Sequence, residues 1–313
     1  MKKFVLKIVI YLLTLLMFTL GINFTLNSYT RSKSQFDLKK QPKSIVVGHS
    51  HPECAFNDSL IQEFKNFSSS GESYFYTYPK LKNIILNNDS IQNIFIEFTN
   101  NQISETMDEW IFGEKYMNYR YPKSDAFLEK EQQRILRNNS PAAYLNALSQ
   151  SKKKQLLRVF KNDFDLTDEL GGYLYLKRFN TDSILKYSTD KINMQENTID
   201  SFPVSKLSLY YLRKMIDFCK KQQKKVYLIR SPQHFKCSAM KNEKVFQNIL
   251  KKEFSDVEFL DFVNFPLKNS EYGDLGHLNY LGAEKFSVWI DFLLKKGLLE
   301  KTDKQNFINN YIK

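Results

Sequence analysis

Four short apolar runs divide the chain beyond its first forty residues, and polar or turn-forming residues follow each run. Runs of four to eight residues that are rich in β-branched and aromatic side chains predict buried strands. The predicted strands lie at 44–48 (SIVVG), 91–98 (IQNIFIEF), 225–229 (KVYLI) and 257–262 (VEFLDF).

Between these runs, apolar residues recur at helical spacing. The pattern predicts helices at about 73–87, 204–222, 242–254 and 280–294. A further amphipathic run at 60–67 follows Asn57-Asp58-Ser59, residue types that often cap helices, and it predicts another helix. Strands separated by helices require crossover connections. The predicted fold class is therefore α/β, with three α/β/α layers around a mainly parallel sheet.

The stretch from Asn101 to Asp200 interrupts this alternation. It is rich in Lys, Asn, Tyr and Glu and contains helical patches such as 127–137. A structureless loop of that length is improbable inside a compact domain. We therefore expect a helical insertion at about 101–200 that caps or flanks the site, within a domain spanning 44–313.

The N-terminal segment from Phe4 to Phe24 is apolar and contains one charge, Lys7. A helix of this length, at ~1.5 Å per residue, spans the ~30 Å hydrocarbon layer of a bilayer. No small-residue cleavage pattern follows, so an uncleaved single-pass anchor at 1–27 is favoured over a signal sequence. Basic residues flank both ends and do not decide its orientation. The polar residues 28–43 are predicted to form a juxtamembrane linker.

Charge and cysteine content exclude several classes of protein. The net charge is +12, but residues 1–43 hold eight basic residues against one acidic residue, and the other 270 hold 38 against 33. That even mixture argues against nucleic acid as a partner. Three cysteines without a Cys-x-x-Cys pair argue against a disulfide framework and a zinc ribbon.

Reactive side chains follow the predicted strands. Ser50 leaves the first strand, and Asp274 and His277 precede the last predicted helix. A serine hydroxyl needs a base to become a nucleophile, and we expect His277 to be that base, with Asp274 orienting it. The backbone N–H groups of Ser50 and Gly71 and the amide of Asn100 are the candidate oxyanion-hole donors.

Each motif has a simpler explanation. Gly-x-Ser is common, and Asp-x-x-His near a helix start is often an N-cap. A metal set of His49, His51, Cys54, Asp274 and His277 matches no standard zinc spacing, so no metal and no cofactor are predicted. Five further residues are candidates for substrate binding, with local packing or an ion pair as the alternative: His49, His51, Asn101, Arg230 and His234.

Taken in order, Gly48-x-Ser50, Gly71, Asn100 and Asp274-x-x-His277 resemble the SGNH/GDSL superfamily of esterases and acyltransferases. The likeness is closest to its membrane-anchored exported branch, which includes the alginate O-acetylation and teichoic acid D-alanylation proteins. The chain departs from the pattern at His49, where the superfamily usually has Asp, and in lacking a Gly-x-Asn-Asp block around Asn100.

The resemblance implies a flavodoxin-like SGNH fold with the domain on the extracytoplasmic, periplasmic side. It implies O-acetyl transfer to, or removal from, a cell-surface polysaccharide, with a carbohydrate substrate and a multi-spanning membrane acyltransferase as partner. Two other classes stay open: a non-catalytic polysaccharide-binding scaffold of the same fold, and a metal-dependent hydrolase.

Overall fold

Five parallel strands form a sheet with the order β2-β1-β3-β4-β5. The structure is a computed structural model and describes residues 2–188 and 202–312. Val47 of β1 pairs with Ile96 of β3, so these neighbouring strands end at the same edge. The strands are β1 (Ser44–Val47), β2 (Phe64–Asn66), β3 (Asn93–Glu97), β4 (Lys225–Arg230) and β5 (Glu258–Asp261).

Helices cover both faces of this sheet. In chain order the α-helices of the described residues are α1 (Lys2–Lys33), α2 (Ser50–Ala55), α3 (Tyr74–Leu86), α4 (Glu109–Phe112), α5 (Glu114–Ser124), α6 (Lys130–Asn139), α7 (Pro141–Lys161), α8 (Thr181–Ser188), α9 (Lys206–Lys221), α10 (Glu243–Glu253), α11 (Tyr280–Lys295) and α12 (Lys304–Asn310).

Successive strand residues point to opposite faces and build two separate cores. Ile45 and Val47 pack with α3, α9 and α10 in one core, whereas Val46 packs with α2, α11 and α12 in the other. Strands buried on both faces are continuous apolar runs, which is why their sequences do not alternate. The predicted three-layer α/β/α fold with a parallel sheet is confirmed.

The predicted helix at 60–67 is wrong. Asn57 caps only a single 3₁₀ turn, Asp58–Leu60, and the chain then turns at Glu63 (φ 51°) into strand β2. The Glu63 carbonyl accepts the N–H groups of Lys43 and Ser44, and Phe64 packs against Phe56 in the core. Pairing with the open edge of β1 therefore prevails over the local helical pattern.

The predicted insertion is helical in its described part, from α4 to α8, and residues 189–200 lie outside the described residues. Helices α5 and α7 lie together around the buried carboxylate of Asp125. That carboxylate accepts hydrogen bonds from Ser151 Oγ at 2.6 Å and Gln155 Nε2 at 2.9 Å. The insertion thus has a hydrogen-bonded interior of its own.

Helix α1 is long and apolar enough to cross a membrane, with a mean hydropathy of 2.4 over its most apolar window. It continues to Lys33, beyond the predicted boundary at residue 27. Arg31 donates to the carbonyls of Asp125 and Leu128 at 2.8 and 2.7 Å. Phe36 and Leu38 of the predicted linker are buried, so this segment packs against the domain rather than acting as a loose tether.

Asn88 holds the segment after α1 in place. Its side chain accepts from the Leu38 N–H at 2.9 Å and donates to the Phe36 and Ile84 carbonyls at 2.9 and 2.7 Å, all out of contact with water. We expect Asn88→Ala to lower the free energy of unfolding by about 2–3 kcal/mol, because buried backbone groups lose their partners. Urea unfolding of the detergent-solubilised chain measures this.

The neighbouring exposed Asn87 is the matched control, since its side chain bonds only one carbonyl within its own helix. Asn87→Ala should stay within about 0.5 kcal/mol of the wild type. Equal losses in the two variants would contradict the role assigned to Asn88.

Candidate active site

The candidate site lies at the carboxyl edge of the sheet between β1 and β3. The strand order reverses direction at this point, which is where open α/β sheets bind ligands. Gly48 leaves β1 here, and a Cβ on it would lie 2.6 Å from Glu97 Cβ and 2.8 Å from Pro52 Cγ. Only glycine therefore allows α2 to begin directly after the strand, with Ser50 as its first residue.

Ser50, His277 and Asp274 form a continuous chain of hydrogen bonds. The distance from Ser50 Oγ to His277 Nε2 is 2.7 Å, and that from His277 Nδ1 to Asp274 Oδ1 is 2.8 Å. The Asp274 oxygen also accepts the backbone N–H groups of Gly276 and His277 at 2.9 and 3.0 Å. A hydroxyl, an imidazole and a carboxylate thus have the geometry of a catalytic triad.

Arg178 of the insertion donates to the second oxygen of Asp274 at 2.6 Å. Burial by itself would raise the pKa of the Asp274 carboxyl, but the hydrogen bonds from His277, Gly276 and Arg178 hold that pKa well below its usual range. Asp274 is therefore a carboxylate, and it lies 2.8 Å from Nδ1 of His277. No sequence pattern identified Arg178, because it lies in a segment without recognisable motifs.

His49 directly precedes Ser50 and is fully buried. Its Nδ1 accepts the His51 N–H at 3.3 Å, which caps α2, and its Nε2 lies 3.3 Å from Thr99 Oγ1. Thr99 in turn donates to Asn101 Oδ1 at 2.5 Å, so His49 Nε2 carries the proton in the bond to Thr99. Burial, and then the proximity of His277, lower the pKa of His49 to about 3. His49 and Asn101 thus support the turn at Ser50.

His51 and Glu97 are a second buried pair beside the triad. The His51 ring lies edge-on to that of His277, with centroids 5.2 Å apart, and its Nδ1 is 3.8 Å from Glu97 Oε1. Burial, and then nearby His49 and His277, lower the pKa of His51. Burial raises the pKa of Glu97 to about 8, although hydrogen bonds from Ser231 oppose the shift. The sequence analysis did not select Glu97 as a site residue. It could have been found because it is an acidic residue at the end of an otherwise apolar strand.

Among the described residues, one group of side chains could hold a metal ion: ligand atoms of His49, His51 and Glu97 all lie within 4.8 Å of one another. Cys54, Asp274 and His277, which belong to the larger set considered from sequence, are not part of this group, and Asp274 and His277 bond to each other. Both carboxylate oxygens of Glu97 already accept from Ser231. A metal would have to displace existing hydrogen bonds, so the absence of a metal stays our prediction.

The predicted oxyanion donors differ in their surroundings. Gly71 has φ 68°, in the left-handed region that glycine tolerates, and a Cβ there would lie 3.1 Å from the ring of Tyr116. Its neighbour Ser70 is hydrogen-bonded to Glu53 of α2, which holds this loop beside the nucleophile's helix. The Asn100 amide, in contrast, donates to Glu243 at 2.7 Å. Asn100 would have to break that bond to reach a substrate.

Arg230 and His234 have structural partners. Arg230 is buried and binds the carboxylates of Asp261 and Glu243 at 2.5 and 2.7 Å, the ion-pair alternative left open by the sequence. His234 is also buried and bonds Asn269, and its N–H donates to the Leu275 carbonyl at 3.0 Å. The His234 loop therefore braces the loop that carries Asp274 and His277, and both Arg230 and His234 are buried among protein partners.

A protein-family model without a functional description matches residues 175–298. The matched segment contains Asp274 and His277 but not Ser50, and it covers less than half of the chain. No curated protein matches the chain. The comparisons therefore assign neither a family nor an activity, and a function has to be inferred from the geometry of the site.

Glu97 should make stability dependent on pH. Its folded-state pKa of about 8 lies above the ordinary value of 4.5, so the folded protein holds a proton that the unfolded chain releases. Stability then falls between pH 4.5 and 8, by at most about 1.4 kcal/mol per pH unit. Glu97→Gln removes this dependence and should lose less stability than the wild type between about pH 5 and 8 in thermal unfolding.

Glu284→Gln, on the exposed side of α11, is the control and should follow the wild-type slope. If stability changed with pH in the same way in the wild type, Glu97→Gln and Glu284→Gln, the prediction would be wrong, because Glu97 would then ionise normally in the folded state.

Proposed function

We propose that the chain is a serine-dependent acyl ester enzyme, an SGNH-type esterase or O-acyltransferase that adds acetyl groups to, or removes them from, a cell-surface polysaccharide. The observation that supports this most directly is the hydrogen-bonded chain from Ser50 through His277 to Asp274. A serine, a histidine and a carboxylate in that order are the arrangement that activates a hydroxyl for acyl transfer.

In the proposed reaction, Ser50 Oγ attacks the carbonyl carbon of the ester while His277 Nε2 takes its proton. The positive charge on the imidazole is stabilised by Asp274, which also keeps the proton on Nδ1. Collapse of the tetrahedral intermediate expels the alcohol, which receives the proton from His277 and leaves an acyl-Ser50 ester. A water or a sugar hydroxyl then attacks this ester, with His277 as base, and restores the free serine.

The oxyanion would be bound by backbone N–H groups. The Ser50 N–H is the first of α2, where N–H groups have no acceptor within the helix. The Gly71 N–H belongs to the adjacent loop that Ser70 ties to α2. Each such donor contributes about 2.7–4 kcal/mol to transition-state stabilisation. Asn100 would be a third donor only if it released Glu243.

The polysaccharide substrate, the extracytoplasmic location and a multi-spanning acyltransferase partner are proposed from the resemblance to the exported SGNH branch. The long apolar helix α1 supports this by offering a means of holding the domain at a membrane. Whether the acceptor is water or a sugar hydroxyl distinguishes an esterase from a transferase, and the triad serves both reactions.

Ser50→Ala should abolish the activity without unfolding the chain. We expect kcat/KM on p-nitrophenyl acetate to fall at least about 10³-fold, because no nucleophile remains to form the acyl-enzyme. The wild type should also form a covalent adduct with a fluorophosphonate at Ser50, which mass spectrometry locates.

The control for this experiment is Ser59→Ala, which removes an exposed serine outside the site and should retain wild-type activity and labelling. A folded wild-type chain that neither hydrolyses the ester nor reacts at Ser50 would favour the scaffold alternative.

Asp274→Asn should lower kcat by about 10³- to 10⁴-fold, because an amide neither fixes the proton on His277 Nδ1 nor balances the imidazolium charge. The measurement is steady-state hydrolysis of the same ester, with Asp182→Asn as the control at an exposed carboxylate of the insertion. A loss below about tenfold would mean that Asp274 only shapes the loop.

A further inference from the structure

The last two turns of α7 carry apolar side chains in contact with water. Leu156, Leu157, Val159 and Phe160 are all exposed, and Phe160 is 84% exposed. A cluster of this kind at the end of a helix is unfavourable in water, because its apolar surface stays hydrated. Exposed apolar clusters mark interaction sites with proteins or membranes.

The end of α7 lies directly beside α1. Asn27 of α1 accepts a hydrogen bond from Gln155 Nε2 at 2.9 Å, and the Tyr29 ring meets that of Phe164 edge-on with centroids 5.7 Å apart. Val159 lines an apolar groove together with α1 residues between Thr14 and Tyr29. The apolar cluster is therefore fixed in position relative to the membrane-spanning helix.

The end of α7 lies beside the part of α1 where its apolar run ends, which is where a bilayer boundary is expected. The apolar run of α1 ends at Phe24, so the polar residues from Thr25 onward leave the hydrocarbon layer. Val159, next to Phe160 in sequence, lines the same groove as α1 residues on both sides of Phe24. Aromatic residues are favoured at the junction of hydrocarbon and headgroups.

The charges around the cluster suit a lipid surface. Lys153 and Lys161 on α7 are exposed, as are Lys33 and Lys39 in the segment after α1. Long basic side chains lay their methylene groups along apolar surface and place the charge among headgroups. Arg158 and Lys154 are instead paired with Glu169.

We propose that the 156–160 end of α7 inserts into the interfacial layer of the bilayer that α1 crosses. The protein would then contact the membrane at two places that are rigidly connected through Asn27, Gln155 and Arg31. Two contacts fix the tilt of the domain, and with it the direction in which the Ser50 edge of the sheet faces. The inference depends on α1 spanning the membrane and not on the proposed acyl ester chemistry.

The test places a solvent-sensitive fluorophore on Phe160→Cys in the full chain, with native cysteines replaced by alanine. The protein is reconstituted into liposomes of phosphatidylethanolamine and phosphatidylglycerol, with and without lipids carrying a doxyl quencher near the headgroup. We expect a blue-shifted emission and several-fold stronger quenching at position 160 than at the control. Because Phe160 is almost fully exposed, the substitution does not disturb the core.

The control is Val288→Cys, an exposed apolar position on α11, which covers the opposite face of the sheet. Equal, water-like emission at positions 160 and 288 would overturn the proposal. The apolar cluster would then be a binding surface for a protein partner, which the liposomes lack. Failure of the labelled chains to float with the liposomes would overturn it too, because α1 would then not be an anchor.

Discussion

The contact between Ser50 and His277 is the constraint on which the rest of the site depends. The two residues are 227 positions apart, and their side chains meet because α11 packs on the same face of the sheet as α2, the helix that follows β1. The loop before α11 is then held at the carboxyl edge by Asn279, which caps the helix through the Leu281 and Gly282 N–H groups. A local cap and a distant packing contact together place the imidazole.

Burial determines the charges around that contact. Asp274 receives enough hydrogen bonds to stay ionised, and it is the carboxylate that an imidazolium requires. Glu97, His49 and His51 lie deeper, and burial shifts the pKa of each toward the neutral form. The carboxylate beside His277 is thus ionised, while burial favours the neutral forms of the residues that support the turn at Ser50. This contrast suits a mechanism in which positive charge develops on a single imidazole.

The insertion links the candidate site to helix α1. Its first helices pack around Asp125 and receive Arg31 from the end of α1, and its later segment places Arg178 on Asp274. A stretch that interrupts the regular alternation of strands and helices therefore contacts both the end of α1 and the carboxylate of Asp274. The sequence predicted an insertion that caps or flanks the site but not these contacts, because no local pattern relates its residues to partners about a hundred positions away.

Local pattern alone determined most of the elements and the candidate triad. Strands, helices and capped turns depend on neighbouring residues, and the residues directly after each strand of a parallel sheet gather at its carboxyl edge. Tertiary structure decided the rest. Residues 64–66 became a strand because β1 offered an unpaired edge, and Arg230 became part of a buried ion-pair cluster because Asp261 ends the adjacent strand. Asn100 was drawn into the same cluster. The pairing of β2 and the partners of Arg230 and Asn100 depend on which residues are buried next to each other in the fold. A local sequence pattern does not contain that information, because the partners come from distant parts of the chain.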